Sequence, residues 1–159
     1  MPNRFVGRTF IMPTQAARDR MVNLKLNIIG ELVKDKRIVV VDDSVVRGTT
    51  TRSKMRALRR AGAKEIHLRI SCPPIRNPCF YGVDFATKGE LIATDRTVQE
   101  IADFVEVDSL HFLSLEGMLD CVKTPKEHCC TACWTGEYKI PIDRALTKFG
   151  FEREQAQLF

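Results

Sequence analysis

The feature that most constrains the fold of this 159-residue chain is a short apolar run that ends in two adjacent acids. Residues 38–41, Ile-Val-Val-Val, contain no polar side chain and are followed at once by Asp42 and Asp43. A strand that is apolar on both sides is typical of a parallel sheet with helices on both faces. We therefore expect residues 38–41 to form a buried strand of an α/β domain, with two carboxylates at its carboxyl end.

The residues after the two acids predict a helix and a second strand. Met55, Leu58 and Ala61 recur at helical spacing after Thr50, and Gly62 is placed to end that helix. Residues 64–71 then alternate between polar and apolar side chains, which is typical of a half-buried strand. The order strand, helix, strand predicts a βαβ unit in a parallel sheet.

The next part of the chain continues the alternation of helix and strand. Positions 98, 101, 102 and 105 are apolar at helical spacing, and Thr97 and Glu100 before them have the spacing of a capping box. Residues 110–113 predict another strand, and the apolar positions 115, 118, 119 and 122 predict another helix. We expect both helical stripes to lie in the core. His67 and His111 fall in strand-like segments, so a structural role is expected for them.

The two ends of the chain are patterned more weakly. Residues 4–12 have the β-branched and aromatic side chains of a strand, whereas residues 14–36 predict a long mobile connection or a poorly anchored helix. Long connections of this kind often form lids over binding sites. After Lys123 the pattern fades into a cysteine-rich segment and a charged tail. We therefore divide the chain into a lid region at 1–36, an α/β core at 37–122 and a cysteine-rich segment with a tail at 123–159.

Composition narrows the classes of function. Lysine and arginine outnumber aspartate and glutamate by 25 to 20, which favours an anionic ligand without naming one. Aromatic residues make up 8% and are not interleaved with basic residues, so we expect no nucleic-acid surface. No apolar run approaches the ~20 residues of a membrane helix, and the first residues do not resemble a signal peptide. A cytosolic protein without membrane contact is expected.

The strand end and the loop after it predict a phosphate-binding site. Asp42 and Asp43 stand at the carboxyl edge of a parallel strand, where open α/β sheets bind ligands. Gly48 lets backbone N–H groups turn inward around an anion, and the N-terminus of the next helix favours negative charge. Acids beside a phosphate cradle indicate a ligand with hydroxyls or Mg²⁺ as well as phosphate. Hydroxyl side chains surround this point at Ser44, Thr49, Thr50 and Thr51.

A simpler interpretation is a strand that ends in solvated acids, followed by a helix with a threonine cap. That interpretation accounts for two aspartates but not for the whole string from Val39 to Thr51, VVVDDSVVRGTTT. This string resembles the phosphoribosyl-pyrophosphate (PRPP) motif of type I phosphoribosyltransferases. With GRTFIMPTQ upstream and NPCFYGVDF downstream, residues 4–136 are similar specifically to the amidophosphoribosyltransferase family. The resemblance implies a partial type I phosphoribosyltransferase fold, with a parallel sheet flanked by helices and a flexible lid loop.

That family makes 5-phosphoribosylamine from PRPP and glutamine, the first step of purine synthesis. The resemblance implies that Asp42 and Asp43 hold the ribose hydroxyls and Mg²⁺ of PRPP, and that the loop wraps the 5′-phosphate largely with backbone N–H groups. Arg8 and Lys25 match the flexible loop that closes over pyrophosphate, where they would stabilise charge on the leaving group. For both, ordinary surface charge is the alternative. The implied loop residues are Ser44, Val45, Val46, Arg47, Gly48, Thr49 and Thr50.

Six cysteines in a chain expected to be cytosolic indicate thiols, a metal or an iron–sulfur site rather than disulfides. Cys130 and Cys133 form a C-x-x-C pair, which is too few ligands on its own. The resemblance implies that a 4Fe–4S cluster, present in some family members, is held by Cys79, Cys130 and Cys133, with the fourth cysteine upstream of residue 1. Other residues that could supply the fourth ligand, although they match no ligand position of the family, are Cys72, Cys121, Cys129 and His128.

Two alternatives for the cysteines stay open. One is a zinc site of three cysteines and His128, although it lacks a recognisable spacing. The other is free thiols, which we favour for Cys72 and Cys121 because free cysteine packs like a small apolar side chain.

From the resemblance, we expect these 159 residues not to include the family's N-terminal glutaminase domain or the first part of its transferase fold. We therefore expect the C-terminal third of a longer enzyme, with little activity alone, an apolar sheet face and an unpaired sheet edge. The implied small-molecule partners are PRPP and ammonia or glutamine, with purine nucleotides as feedback ligands. The full-length protein is expected to be a homo-oligomer.

Two other classes of function remain as alternatives. One is a PRPP sensor without catalytic activity. The other, less favoured, is the receiver domain of a signalling pair, in which Asp84 and Lys123 would be the phosphoacceptor and the switch lysine.

Overall fold

The computed structural model describes residues 28–83 and 87–141. Three parallel strands in the order β1-β2-β3 form its sheet, so the predicted α/β class is confirmed. Short 3-10 turns lie at Lys88–Glu90 and Lys126–His128. The elements, in chain order, are α1 (Gly30–Val33), β1 (Arg37–Asp42), α2 (Thr49–Arg60), β2 (Glu65–Ile70), α3 (Val98–Val105), β3 (Ser109–Phe112), α4 (Leu115–Asp120) and α5 (Ala132–Thr135).

One face of the sheet carries the core. Side chains alternate between the two faces of a strand, and Ile66, Leu68 and Ile70 of β2 are at most 3% exposed. The register places Val40 of β1 and Leu110 of β3 on either side of Leu68. The strict alternation predicted for residues 64–71 is therefore confirmed.

Helices α2 and α3 both pack on this same face. Met55 of α2 is fully buried against Ile66, while Ile101 and Val105 of α3 cluster with Leu68. Burying each such side chain contributes roughly 1.5–3 kcal/mol, so these contacts supply much of the free energy that holds helices and sheet together. The predicted βαβ unit is thus present, and a second one follows it.

The start of α3 is capped as the sequence predicts. The Glu100 backbone N–H donates to the Thr97 hydroxyl at 3.2 Å, and the Thr97 N–H donates to the Glu100 carboxylate at 2.7 Å. Each side chain satisfies a backbone N–H that lacks a partner inside the helix. The hydrogen bonds that the Thr97 N–H and the Thr97 hydroxyl donate to the Glu100 carboxylate lower the pKa of Glu100.

The prediction that β1 is covered on both faces is wrong for the part of the chain that the structure describes. Val39 and Val41 are 64% and 72% exposed. Because α2 and α3 pack on the same side of the sheet, no described element covers the other side. Strand β1 is also an edge of the described sheet, in line with the expected apolar face and open edge.

Two apolar positions expected in the core are exposed. Val98 is 40% exposed because it is the first residue of α3, and Val122 is 46% exposed because α4 ends before it, at Asp120. Met118 of α4 does pack against the core, although it is only partly buried.

Part of the predicted lid region lies in the described structure. Residues 30–33 form the short helix α1, and Val33 packs against the cluster around Met55. The strand predicted at residues 4–12 and most of the connection predicted at 14–36 lie outside the described residues. Among the helices of residues 28–83 and 87–141, none has the length and apolar character to cross a membrane.

Candidate functional site

The carboxyl end of β1 leads into a loop that is anchored on both sides. The Ser71 N–H, just after β2, donates to the Asp42 carbonyl at 3.0 Å. Val45 is 2% exposed and packs in the core with Ile92. The Ile92 N–H donates to the carbonyl of Val46 at 2.9 Å. The loop between the two acids and α2 is therefore held in one conformation by its neighbours.

Gly48 turns the loop into helix α2. It is the N-cap residue and has a φ of +75°, in the left-handed region that side chains disfavour. A Cβ atom at this position would lie 2.7 Å from Ile92 Cδ1 and 3.0 Å from Phe104 Cε1. The backbone conformation favours glycine here, and a Cβ would in addition force the Ile92 side chain to shift.

The N-terminus of α2 is open to an anion. No side chain caps it, and its first turn contains no acidic residue. The first N–H groups of a helix lack partners inside it, and the helix dipole attracts negative charge there. Thr49 and Thr50 are exposed, whereas Thr51 is 5% exposed and faces the core. The loop and the first turn therefore have the donors and the access that a phosphate group needs.

Arg47 and Ser44 lie at the edge of this loop. Arg47 is exposed and forms an ion pair with Glu90 at 3.2 Å. A cavity of about 560 Å³ opens beside this pair, with Ile92 and Phe104 in its lining. Ser44 is half-buried. The structure thus brings the predicted loop residues together beside the strand end.

The two acids have different surroundings. Asp42 accepts a hydrogen bond from Lys54 Nζ at 2.9 Å and one from the Asp43 backbone N–H at 3.3 Å. Asp43 is exposed and, among the described residues, has no ion-pair partner. The carboxylate of Asp43 is therefore fully open to a ligand from solution, whereas that of Asp42 is already paired with Lys54 and only partly exposed.

Lys54 was missed by the sequence reasoning. It follows Thr51 by three residues and precedes Leu58 by four, which puts it on the side of α2 that faces the sheet. The sequence does contain a signal for this pair. A lysine lies on the sheet-facing side of the helix that directly follows a strand ending in aspartate.

The segment around Cys79 packs against the C-x-x-C segment. The N–H groups of Arg76 and Asn77 donate to the Cys133 carbonyl at 3.1 and 3.0 Å. The Tyr138 hydroxyl donates to the Pro78 carbonyl at 2.7 Å, and its ring contacts Phe80 edge to face. These contacts bring Cys79, far away in the sequence, to the Cys130–Cys133 pair.

The thiols in this region influence one another. Burial is the main cause that raises the pKa of the Cys133 thiol, and the nearby Cys79 and Cys130 raise it further. No group of three or more His, Cys, Asp or Glu side chains within residues 28–83 and 87–141 is placed to bind a metal ion. The zinc alternative with His128 therefore has no support in the described structure.

The burial expected for the thiols of Cys72 and Cys121 is found for only one of them. Cys72 is buried, and burial, with smaller effects from Asp43 and Cys133, raises its thiol pKa to about 11. Cys121 is exposed. The indole N–H of Trp134 lies near the Cys72 thiol, but this buried N–H has no acceptor with hydrogen-bond geometry in the described part of the chain.

The two histidines in the strands differ, since His111 of β3 is exposed whereas His67 of β2 has partners within the sheet. His67 contacts the Ser109 hydroxyl at 2.9 Å and the Glu65 carboxylate at 3.1 Å. These partners fit the structural role expected for it. Arg8, Lys25 and Asp84 lie outside the described residues.

Comparisons with known proteins agree with this geometry. A model of the family described as "Phosphoribosyl transferase domain" matches residues 12–107. An amidophosphoribosyltransferase of Methanothermobacter thermautotrophicus is 51% identical over 147 residues, which are 92% of this chain and 31% of that protein. One of Synechocystis is 52% identical over 146 residues, 92% of this chain and 30% of that protein.

A solved structure of glutamine PRPP amidotransferase from Bacillus subtilis, complexed with ADP and GMP, matches with a TM-score of 0.75 and 48% identity. The match covers 92% of this chain and 33% of that one. This chain thus spans about a third of the length of the relatives that it matches. These matches favour the phosphoribosyltransferase assignment over the receiver-domain alternative. The chain belongs to the phosphoribosyltransferase domain family, and over most of its length it is homologous to one part of the amidophosphoribosyltransferases.

Proposed function

We propose that this chain is the PRPP-binding part of an enzyme that transfers ammonia from glutamine to PRPP. The products are 5-phosphoribosylamine, pyrophosphate and glutamate. The observation that carries the proposal is the open N-terminus of α2 directly after a strand that ends in Asp42 and Asp43. The roughly 50% identity to amidophosphoribosyltransferases supports the same assignment.

The loop and α2 bind the 5′-phosphate in this proposal. The loop from Ser44 to Thr50 offers backbone N–H groups, and Thr49 and Thr50 add exposed hydroxyls at the first turn. The positive end of the helix dipole stabilises the phosphate charge. Because Ile92 and Val45 hold the loop in place, little conformational entropy is lost when the phosphate binds.

The two acids orient the ribose. Asp42 and Asp43 accept hydrogen bonds from its hydroxyls, and exposed Asp43 also faces the cation of Mg–PRPP. In sites that bind a phosphate-bearing substrate, Mg²⁺ is held by one or two carboxylates together with the substrate phosphates. The two carboxylates of Asp42 and Asp43, without a third protein ligand, therefore fit Mg²⁺. Bound Mg²⁺ neutralises charge on the pyrophosphate.

The reaction forms a bond from nitrogen to C1 of the ribose and breaks the bond from C1 to the pyrophosphate oxygen. The leaving pyrophosphate takes the electron pair of the broken bond, and the attacking ammonia gives up a proton to the pyrophosphate or to solvent to leave the neutral amine. We propose that Arg8 and Lys25 stabilise the charge on the pyrophosphate and that their segment excludes water from PRPP.

The division into a lid region at 1–36, a core at 37–122 and a cysteine-rich segment at 123–159 is part of the proposal. So are a cytoplasmic location, glutamine hydrolysis elsewhere in the whole protein, and assembly into a homo-oligomer. A relative's structure contains ADP and GMP, which supports purine nucleotides as feedback ligands.

We also propose that Cys79, Cys130 and Cys133 hold a 4Fe–4S cluster in the whole protein. The proximity of Cys79 and Cys130 to the Cys133 thiol in the described structure supports this. Ligands of a cluster stand further apart than ligands of a single ion, because the cluster lies between them. Iron and acid-labile sulfide should therefore be present after anaerobic purification, and Cys133→Ser, but not Cys121→Ser, should lower both.

Calorimetric titration of the chain with PRPP, with and without Mg²⁺, tests the proposed function. We expect binding that depends on Mg²⁺. A chain that unfolds cooperatively but does not bind Mg–PRPP would contradict the proposal. Binding without any turnover when ammonia is supplied to the whole protein would instead favour the PRPP sensor.

A further inference from the structure

The carboxylate of Asp42 is held by a lysine from the neighbouring helix. Lys54 Nζ lies 2.9 Å from Asp42 Oδ2, and their side chains are only 31% and 22% exposed. The Asp43 backbone N–H contacts the other oxygen, Oδ1, at 3.3 Å. Both carboxylate oxygens of Asp42 therefore have a partner before any ligand binds. A partly buried ion pair is screened by solvent less than a surface pair.

Asp43 stands in contrast to its neighbour. Its side chain is exposed, and within the described ranges it forms no ion pair. Two adjacent carboxylates at one strand end would repel each other and any incoming phosphate. The ammonium of Lys54 compensates one of these two charges and leaves the other free.

We propose that Lys54 is a positioning residue that gives the two acids different tasks. It orients Asp42 as a neutralised acceptor for a ribose hydroxyl, and it leaves Asp43 as the carboxylate that faces Mg²⁺. This inference rests on the proposed function, because its ligand is Mg–PRPP.

The helix that carries Lys54 also links Asp42 to the phosphate loop. Lys54 lies on α2, whose first turn begins at Gly48, and the buried Thr51 and Met55 fix that helix on the sheet. The ion pair therefore sets the carboxylate of Asp42 relative to the point where the 5′-phosphate binds. This geometry matches a ligand that carries hydroxyls and a phosphate at a fixed separation.

The test compares two titrations of the 159-residue chain, one with PRPP at saturating Mg²⁺ and one with Mn²⁺ alone. Lys54→Met keeps an unbranched side chain of similar helix propensity, one heavy atom shorter, but removes its charge. We expect it to weaken Mg–PRPP binding about tenfold, the size of one charge-assisted hydrogen bond. Binding of Mn²⁺ alone should become tighter, because two uncompensated carboxylates then face the cation.

Two further variants serve as rescue and control. Lys54→Arg restores a cation and should keep both affinities within about threefold of the wild type. Arg60→Met removes the same charge from an exposed position of the same helix and should change neither. Thermal melts of all variants show whether the fold is retained.

If Lys54 had a purely structural role, its loss would not weaken the binding of PRPP and at the same time tighten the binding of Mn²⁺. If Lys54→Met weakens both to the same extent, or changes neither while the wild type binds Mg–PRPP, the role of Lys54 is overturned and the proposed function stands. If the folded wild-type chain does not bind Mg–PRPP, the proposed function falls, and this inference with it.

Discussion

The backbone N–H of Ile92 donates to the carbonyl of Val46 at 2.9 Å, which joins the loop after β1 to the segment before α3. The Ile92 side chain also lies where a Cβ on Gly48 would be. The candidate phosphate loop is therefore shaped by residues almost fifty positions further along the chain. A substitution in either segment is therefore expected to alter the conformation of the other.

Gly48→Ala should destabilise the chain and weaken PRPP binding. A side chain at a φ of +75° costs about 1–2 kcal/mol, and its Cβ would force Ile92 and Phe104 apart. Chemical denaturation and PRPP titration measure the two effects. Gly89→Ala is the matched control, because no heavy atom lies within 4 Å of its added Cβ. Equal stability of the two variants would contradict the packing described for Gly48.

Asp43→Asn should weaken Mg–PRPP binding without unfolding the chain. The exposed carboxylate has no ion pair within residues 28–83 and 87–141, so stability should change by less than about 0.5 kcal/mol. Loss of its charge removes an acceptor that the ribose and Mg²⁺ use in the proposed function. Calorimetry with PRPP and Mg²⁺ measures the affinity, and Asp95→Asn controls for net charge. If Asp43→Asn bound Mg–PRPP as tightly as the wild type does, Asp43 would have no role in the site.

The local pattern of the sequence predicts the sheet and its covered face well. Alternation in residues 64–71 and the capping box at Thr97 are local signals, and the structure contains both. The motif between Asp42 and Thr51 also predicts where the loop and helix begin, because a strand end, a glycine and hydroxyl residues are adjacent in sequence.

What could not be predicted depends on contacts between distant residues. The apolar run at residues 38–41 does not indicate on which face of the sheet the two helices pack. A strand covered on both faces is therefore the expectation, whereas Val39 and Val41 are exposed. The pairing of Lys54 with Asp42 depends on how α2 is rotated over the sheet. The sequence does not distinguish Cys72 from Cys121, and their burial differs because Cys72 packs in the core cluster after β2 whereas Cys121 ends α4 at the surface.

Thiol reactivity should separate these two cysteines. The Cys72 thiol is buried and its pKa is raised to about 11, so very little thiolate is present at pH 8. Cys121 is exposed. Timed alkylation with iodoacetamide, followed by mass spectrometry of peptides, should show Cys121 modified well before Cys72 in the folded chain. Similar rates for both in urea are the control, and similar rates in the folded chain would contradict the burial of Cys72.

Glu106 should make stability depend on pH in the acid range. Hydrogen bonds from Arg56 and then Arg52 lower the pKa of this carboxyl to about 2, below the ~4.3 of a free glutamate. Because the folded pKa is the lower one, the stabilisation is fully present above about pH 4.5 and is lost as the pH falls towards 2. Glu106→Gln removes the titrating group but keeps most of its shape.

The expected result is a Glu106→Gln chain that is less stable than the wild type at pH 7, with a difference that shrinks from about pH 4.5 to pH 2. Urea unfolding at a series of pH values measures this difference. Glu31→Gln is the control, since Glu31 forms no ion pair with the rest of the described residues. A difference between Glu106→Gln and wild type that stays constant over this range would mean that Arg52 and Arg56 do not hold the carboxylate in solution. The contact between α2 and the end of α3 would then rest on apolar packing alone.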